Sequence, residues 1–128
     1  MASVSVEDLC VVAENEGVRV CYTNELPTQA VWDCEQRIIW LRTGQREREE
    51  VANLAHELGH AILGHEHRQD PWAEACADEV AALLLIGESE YAEAERLYGC
   101  HSAAIADALE LPVWVVEARR KTFGRFAA

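Results

Sequence analysis

The chain has little positive charge and no long apolar run, and each absence excludes a class of protein. Its 128 residues include 11 Lys and Arg against 23 Asp and Glu, a formal net charge of −12. Because nucleic acids are bound through basic surfaces, this balance argues against DNA or RNA as the main partner. No apolar run is long enough for a membrane span, and the first residues lack the basic start of a signal peptide. We therefore expect a cytoplasmic protein with no membrane contact.

The cysteines exclude two further classes. They are five in number and widely spaced, with no Cys-x-x-Cys pair, so we expect neither a disulfide framework nor a zinc ribbon. The sequence predicts that they are small buried residues in a reducing compartment, and that Cys76 packs rather than binds metal. Half of the residues are hydrophobic, enough for one sizeable core at this length, so residues 1–128 are expected to form a single domain.

A short motif carries most of the functional information. His56 and His60 are four residues apart with Glu57 between them, the HExxH pattern. On a helix the two histidines lie one above the other and can reach one metal ion, while the glutamate lies about 100° away, where it can activate water. A helical apolar stripe surrounds the motif and supports this interpretation: Val51, Leu54, Ala55, Leu58, Ala61 and Ile62. The alternative is two ordinary histidines that happen to flank a glutamate.

Catalytic zinc usually has three protein ligands, so one more is needed. The extended motif HExxHxxGxxH would require glycine at position 63 and histidine at position 66, which hold Leu63 and Glu66. His65 and His67 are each one residue out of register. The sequence therefore excludes a third histidine in that arrangement.

The better candidates lie on the next predicted helix, residues 71–86, which follows an N-cap at Asp70. Glu74 and Asp78 are one turn apart on it, and two carboxylates at the head of an apolar face need a partner. We assign Glu74 as the third ligand and Asp78 as the acceptor that orients a ligating histidine. Two alternatives stay open: Asp78 as the ligand, or both carboxylates on a solvated helix face.

These motifs resemble those of the ImmA/IrrE-type metallopeptidases, small bacterial and phage proteins often encoded near a repressor. The resemblance rests on the stretch from Asn53 to His65 and on the Glu-x-x-Ala-Asp-x-x-Ala pattern that begins at Glu74. It implies a gluzincin-like zinc metallopeptidase in which Zn²⁺ is bound by two histidines and a glutamate. Those ligands map onto His56, His60 and Glu74, and the general base maps onto Glu57.

The resemblance also implies a function. We expect a regulatory zinc-dependent endopeptidase that cleaves a transcriptional repressor, such as a helix-turn-helix protein, or a similar protein partner. The alternative is a zinc-stabilised interaction module that binds a regulator without cutting it. Tyr98 and His101 are available to stabilise the oxyanion, but no motif supports either residue.

The predicted fold is α+β, a small antiparallel or mixed three-stranded sheet packed on a helical bundle. A zincin-like HExxH helix and a second, glutamate-bearing helix form its centre. The expected strands are 18–22, 30–34 and 37–41, and the expected helices are 6–14, one from Gly44 to about 65, 71–86, 89–98, 102–109 and 112–121. The last two helices have the spacing of a helix-turn-helix, but the second begins with an apolar segment at Pro112. We interpret it as core packing and not as a DNA-reading helix.

Overall fold

The computed structural model describes residues 3–66 and 70–126, so His67 lies outside the described residues. Within them, six helices and three strands form an α+β fold, as the sequence predicts. The elements are α1 (Val6–Asn15), β1 (Arg19–Thr23), β2 (Ala30–Asp33), β3 (Ile38–Arg42), α2 (Glu47–Leu63), α3 (Pro71–Leu85), α4 (Glu88–Tyr98), α5 (Ser102–Leu109) and α6 (Val113–Phe126). No helix in the described segments combines the length and the apolar character that crossing a membrane requires.

The three strands form a mixed sheet in the order β1-β3-β2. β1 runs parallel to β3, and β2 pairs antiparallel to β3 as a hairpin. The turn, residues 34–37, lacks Asn-Gly but follows Asp33, whose Oδ1 accepts from the backbone N–H groups of Glu35 and Gln36. Arg37 then adopts a left-handed conformation with φ 56°. The order leaves β2 at one edge of the sheet, beside α2.

Two helix starts, those of α1 and α3, follow capping signals in the sequence. Ser5 and Asp8 form a reciprocal capping box at α1. Asp70 caps α3 by accepting from the backbone N–H of Ala73, and a proline occupies the first helical position. Three helix ends differ from the prediction by more than one residue. α6 continues past residue 121, and α2 begins at Glu47 and not at Gly44. α2 also stops at Leu63 and not near residue 65, because Gly64 takes the left-handed conformation with φ 74°.

The core lies between the sheet and the helices, and α2 runs through it. The buried residues of α2 are Val51, Ala52, Leu54, Ala55, Leu58, Gly59, His60 and Ala61. The predicted stripe is wrong at Ile62, which is 39% exposed in the last turn, where α2 leaves the core. In α6, Val115 and Val116 are fully buried, which confirms that this apolar segment packs in the core.

The cysteine prediction is wrong about burial. No disulfide joins the five cysteines, all of which lie in the described residues. Four are only half-buried and Cys100 is exposed, because a domain of this size has too little interior to enclose every small apolar side chain.

Candidate metal centre

The site is built where α2 and α3 make their closest approach. A Cβ atom at Gly59 would lie only 2.7 Å from the carbonyl oxygen of Ala77, so the missing side chain lets the two backbones touch. His56 contacts Asp78, while His60, one turn later, contacts Glu74, one turn earlier. The helices are therefore antiparallel, and the two histidines face the two carboxylates.

Three of the predicted residues converge on one point. His56 Nε2 lies 3.1 Å from His60 Nε2 and 3.2 Å from Oε1 of Glu74. His60 Nε2 lies 2.8 Å from the other carboxylate oxygen, Oε2 of Glu74. Each of the three residues thus directs a potential ligand atom at the same small volume.

The donor set and its spacing fit a zinc ion. Zinc binds imidazole nitrogen and carboxylate oxygen at about 2.0–2.2 Å, so neighbouring ligand atoms in a tetrahedral site are about 3.3 Å apart. The separations of 2.8, 3.1 and 3.2 Å found here are close to that value. Two imidazole nitrogens that face each other also repel unless a proton or a cation lies between them. The arrangement is therefore suited to a metal with three protein ligands.

Asp78 occupies the position expected of an orienting carboxylate. Its Oδ1 lies 2.8 Å from Nδ1 of His56, on the side of the ring away from Glu74. The ring of Trp114 packs edge-on against His56 with centroids 6.1 Å apart, so α6 forms one wall of the site. The two carboxylates face the histidines but are not enclosed, because the side chains of Glu74 and Asp78 are 45% and 41% exposed. The site is an open cleft that solvent can enter.

Glu57 lies beside the three converging residues without directing its carboxylate at the volume they share. Its Oε2 is 3.9 Å from Nε2 of His56, and only 13% of its side chain is exposed. Burial raises the pKa of Glu57 to about 7, the positive charge of His56 opposes this, and the negative charge of Glu74 adds to it. A backbone hydrogen bond from Trp32 holds the carboxylate and favours its charged form. A carboxyl group with a pKa near neutrality is suited to proton transfer.

The two histidines are shifted in opposite directions. Burial lowers the pKa of His56, but the hydrogen bond to Asp78 and the charges of Glu57, Asp78 and Glu74 outweigh it, and the net pKa is raised. Burial also lowers the pKa of His60, and the charge of His56 lowers it further. His60 therefore favours the neutral form that binds metal, while protons compete with metal mainly at His56.

Sequence reasoning missed His65, which it dismissed as out of register for a metal ligand. The structure places His65 Nδ1 2.9 Å from Nδ1 of His60, on the side of the ring away from His56 and Glu74. The signal for this contact was Gly64 at the end of the apolar stripe, a residue type that commonly reverses a chain at a helix C-terminus. In the described part of the chain, the contacts of the site involve neither Tyr98 nor His101.

Comparison with known protein families agrees with this geometry. A family model, Peptidase_M78, described as the IrrE N-terminal-like domain, matches residues 13–121. The matched segment contains the HExxH helix, the glutamate-bearing helix and the whole sheet. No curated protein matches the chain.

Proposed function

Since the chain belongs to the IrrE N-terminal-like family of metallopeptidase-type domains, we propose that it is a zinc-dependent endopeptidase. The observation that carries the proposal is the convergence of ligand atoms from His56, His60 and Glu74. These three residues would hold the zinc. Bound zinc would supply the Lewis acid that polarises a peptide carbonyl and acidifies water.

Glu57 is the general base of the proposed reaction. It lies on the same side of His56 as the ligating nitrogen, and its raised pKa suits it to take a proton from the attacking water and return it to the leaving amine. Trp32 contributes by holding the carboxylate through its backbone N–H. Asp78 contributes by accepting from Nδ1 of His56, which leaves Nε2 of that ring free for the metal.

The edge strand β2 supports an extended peptide as substrate. The backbone N–H of Arg42 donates to the carbonyl of Gln29, so the backbone N–H and C=O groups of residue 29 point toward β3. Because this direction alternates along the strand, the backbone groups of Ala30 and Trp32 point away from β3. The outward N–H of Trp32 is the one that reaches Glu57. A substrate strand added along this edge would therefore place its backbone beside the base.

We further propose that the substrate is a protein regulator, with a helix-turn-helix repressor as the expected class. The support is the family resemblance and the net charge of −12, which favours docking of a basic, DNA-binding partner. We expect one or very few cuts in that partner, poor activity on casein, and weaker cleavage at high salt. Broad digestion of unfolded proteins, unaffected by ionic strength, would make the protein a general peptidase instead.

The decisive experiment compares the unaltered protein with Glu57→Gln, which keeps the size of the side chain and removes the base. Both proteins, loaded with zinc, are incubated with lysate of the cell that expresses the chain, and new N-termini are identified by mass spectrometry. We expect equal zinc content and loss of cleavage by orders of magnitude in the variant. If Glu57→Gln keeps the full biological effect in cells, the protein acts as a zinc-stabilised interaction module and not as a peptidase.

A further inference from the structure

The end of α2 folds back on the metal helix in a defined way. Gly64, with φ 74°, donates its N–H to the carbonyl of Ala61, and the N–H of His65 donates to the carbonyl of His60 at 2.9 Å. These two bonds form a Schellman motif, which returns the chain over the last turn of the helix. The motif therefore fixes the backbone of His65 directly against that of His60.

The side chains of the same two residues also meet. His60 is 3% exposed, and its Nδ1 lies 2.9 Å from Nδ1 of His65. Its other nitrogen, Nε2, faces His56 and Glu74 in the cleft. If Nε2 of a neutral imidazole offers its electron pair to a metal, the proton must be on Nδ1 and needs an acceptor. Nδ1 of His65 is in that position, and its own proton must then be on Nε2.

His65 is itself held from a distant part of the chain. Its carbonyl oxygen accepts a hydrogen bond of 3.0 Å from the indole Nε1 of Trp32, on the edge strand β2. The backbone of Trp32 also binds the carboxylate of Glu57. One residue of β2 thus connects the base to the residue behind a metal ligand.

We propose that His65 is a positioning residue, held by Gly64 and Trp32, that fixes His60 in the tautomer able to bind metal. This inference rests on the proposed zinc site, because tautomer selection matters only if Nε2 of His60 is a ligand. Outer partners of ligating histidines typically change metal affinity by about 10–100-fold when they are removed. Removing His65 is therefore expected to weaken zinc binding about as much as removing Asp78, which accepts from the outer nitrogen of His56 in the same way.

The test uses two substitutions of similar size at the same position. His65→Leu removes the acceptor, whereas His65→Asn keeps an acceptor oxygen at about the distance of Nδ1 from the backbone. The zinc dissociation constant of each protein is measured by competition with a chromophoric chelator. We expect about 10–100-fold weaker binding in His65→Leu and recovery of most of that loss in His65→Asn. His101→Leu, at an exposed histidine, is the matched control and should bind zinc normally.

A spectroscopic measurement on the unaltered protein makes the test independent of how the variants fold. Proton–nitrogen correlation of the imidazole rings in the zinc-loaded protein should show His60 protonated at Nδ1 and His65 protonated at Nε2. Unchanged affinity in a folded His65→Leu, or a His65 that carries its proton on Nδ1, would overturn the inference and leave the zinc site intact. If the unaltered protein binds no zinc, both this inference and the proposed function are wrong.

Discussion

In the described part of the chain, two places bury a polar side chain, and they satisfy it in opposite ways. At Arg119, which is 5% exposed, the guanidinium donates to the carbonyl of Ile86 at 2.8 Å and to the hydroxyl of Thr122 at 2.9 Å. At His60, which is 3% exposed, one ring nitrogen meets a second imidazole nitrogen and a carboxylate oxygen. The guanidinium of Arg119 thus has neutral oxygen acceptors for its N–H groups. The ring nitrogen of His60, in contrast, faces other atoms that carry electron pairs.

The difference shows how to distinguish a structural polar group from a functional one. Arg119 ties α6 to the end of α3, where a cation is favourable beside the last carbonyl groups of a helix. The cleft on α2 and α3 is different, because its ligand atoms are complementary to a cation and not to one another. Substitutions at Arg119 should therefore change stability alone, and substitutions in the cleft should change zinc binding first.

The largest expected effect is in the cleft. Glu74→Ala removes one of three proposed ligands and should weaken zinc binding by at least about a hundredfold, since each ligand carries a share of the total binding free energy. Asp78→Ala removes only the partner of His56 and should weaken zinc binding by about 10–100-fold, as expected for His65→Leu. Zinc content and affinity are measured after purification from the same medium. Full occupancy in Glu74→Ala together with loss in Asp78→Ala would reverse the assignment of ligand and supporting carboxylate.

The corresponding change at Arg119 should leave zinc binding unaltered. Arg119→Met keeps much of the apolar stem but leaves the carbonyl of Ile86 without its donor, and we expect a loss of about 3 kcal/mol in the free energy of unfolding. The measurement is urea denaturation of the metal-free protein. Arg96→Met is the control, because Arg96 is exposed and pairs with Glu93 on the surface of α4, and it should change stability little. If Arg119→Met weakened zinc binding as much as Glu74→Ala does, Arg119 could not be called a purely structural group.

The grouping of the four site residues could be expected from sequence because their placement is mostly local. Spacing of four residues on one helix puts His56 and His60 on the same face, and the structure brings their Nε2 atoms to 3.1 Å. The start signals at Asp70 set where α3 begins, and Glu74 and Asp78, four residues apart on it, lie on the same face. The structure brings these four side chains together, while their roles as ligands and supporting carboxylate stay predictions.

The contacts made by Trp32 and Trp114 could not be predicted, because they join distant parts of the chain. Trp32 reaches His65 across 33 positions, and that contact requires the hairpin, the sheet order and the reversal at Gly64 together. Trp114 reaches His56 only because α6 packs on α3. Hydrophobic periodicity identifies a buried face but does not specify which distant element covers it.

A third prediction addresses how closely the two metal-binding helices must approach. Gly59→Ala gains about 1 kcal/mol of intrinsic helix propensity, but the new Cβ would meet the carbonyl oxygen of Ala77 at 2.7 Å. Because that atom is backbone, the helices must separate, and we expect a net loss of about 2 kcal/mol in unfolding free energy. Zinc binding should weaken as well, since the ligands come from both helices.

The matched control for this substitution is Gly87→Ala. Gly87 has no atom within 4 Å of its ideal Cβ position, and its φ of −68° is accessible to alanine. It should therefore keep normal zinc affinity and nearly normal stability. If Gly59→Ala behaves like Gly87→Ala in both measurements, the close approach does not position the ligands.

The smallest expected effect is the pH dependence of stability in the metal-free protein. The pKa of Glu57 is raised by burial from 4.5 to about 7 in the folded protein. A group whose folded pKa is raised stabilises the fold below its unfolded pKa, and that contribution is lost as pH rises through the folded pKa. Ionisation of Glu57 should therefore lower the free energy of unfolding by about 1.5 kcal/mol more at pH 7 than at pH 5.5.

Glu57→Gln isolates this contribution, because the titrations of His56 and His60 are present in both proteins and largely cancel. After chelator treatment, urea denaturation is measured for both proteins at pH 5.5 and pH 7. The stability of the variant relative to the unaltered protein should increase between these two values. A difference independent of pH would mean that Glu57 is solvated in the metal-free cleft. Burial would then not set the pKa of Glu57, and its role as a base would need another explanation.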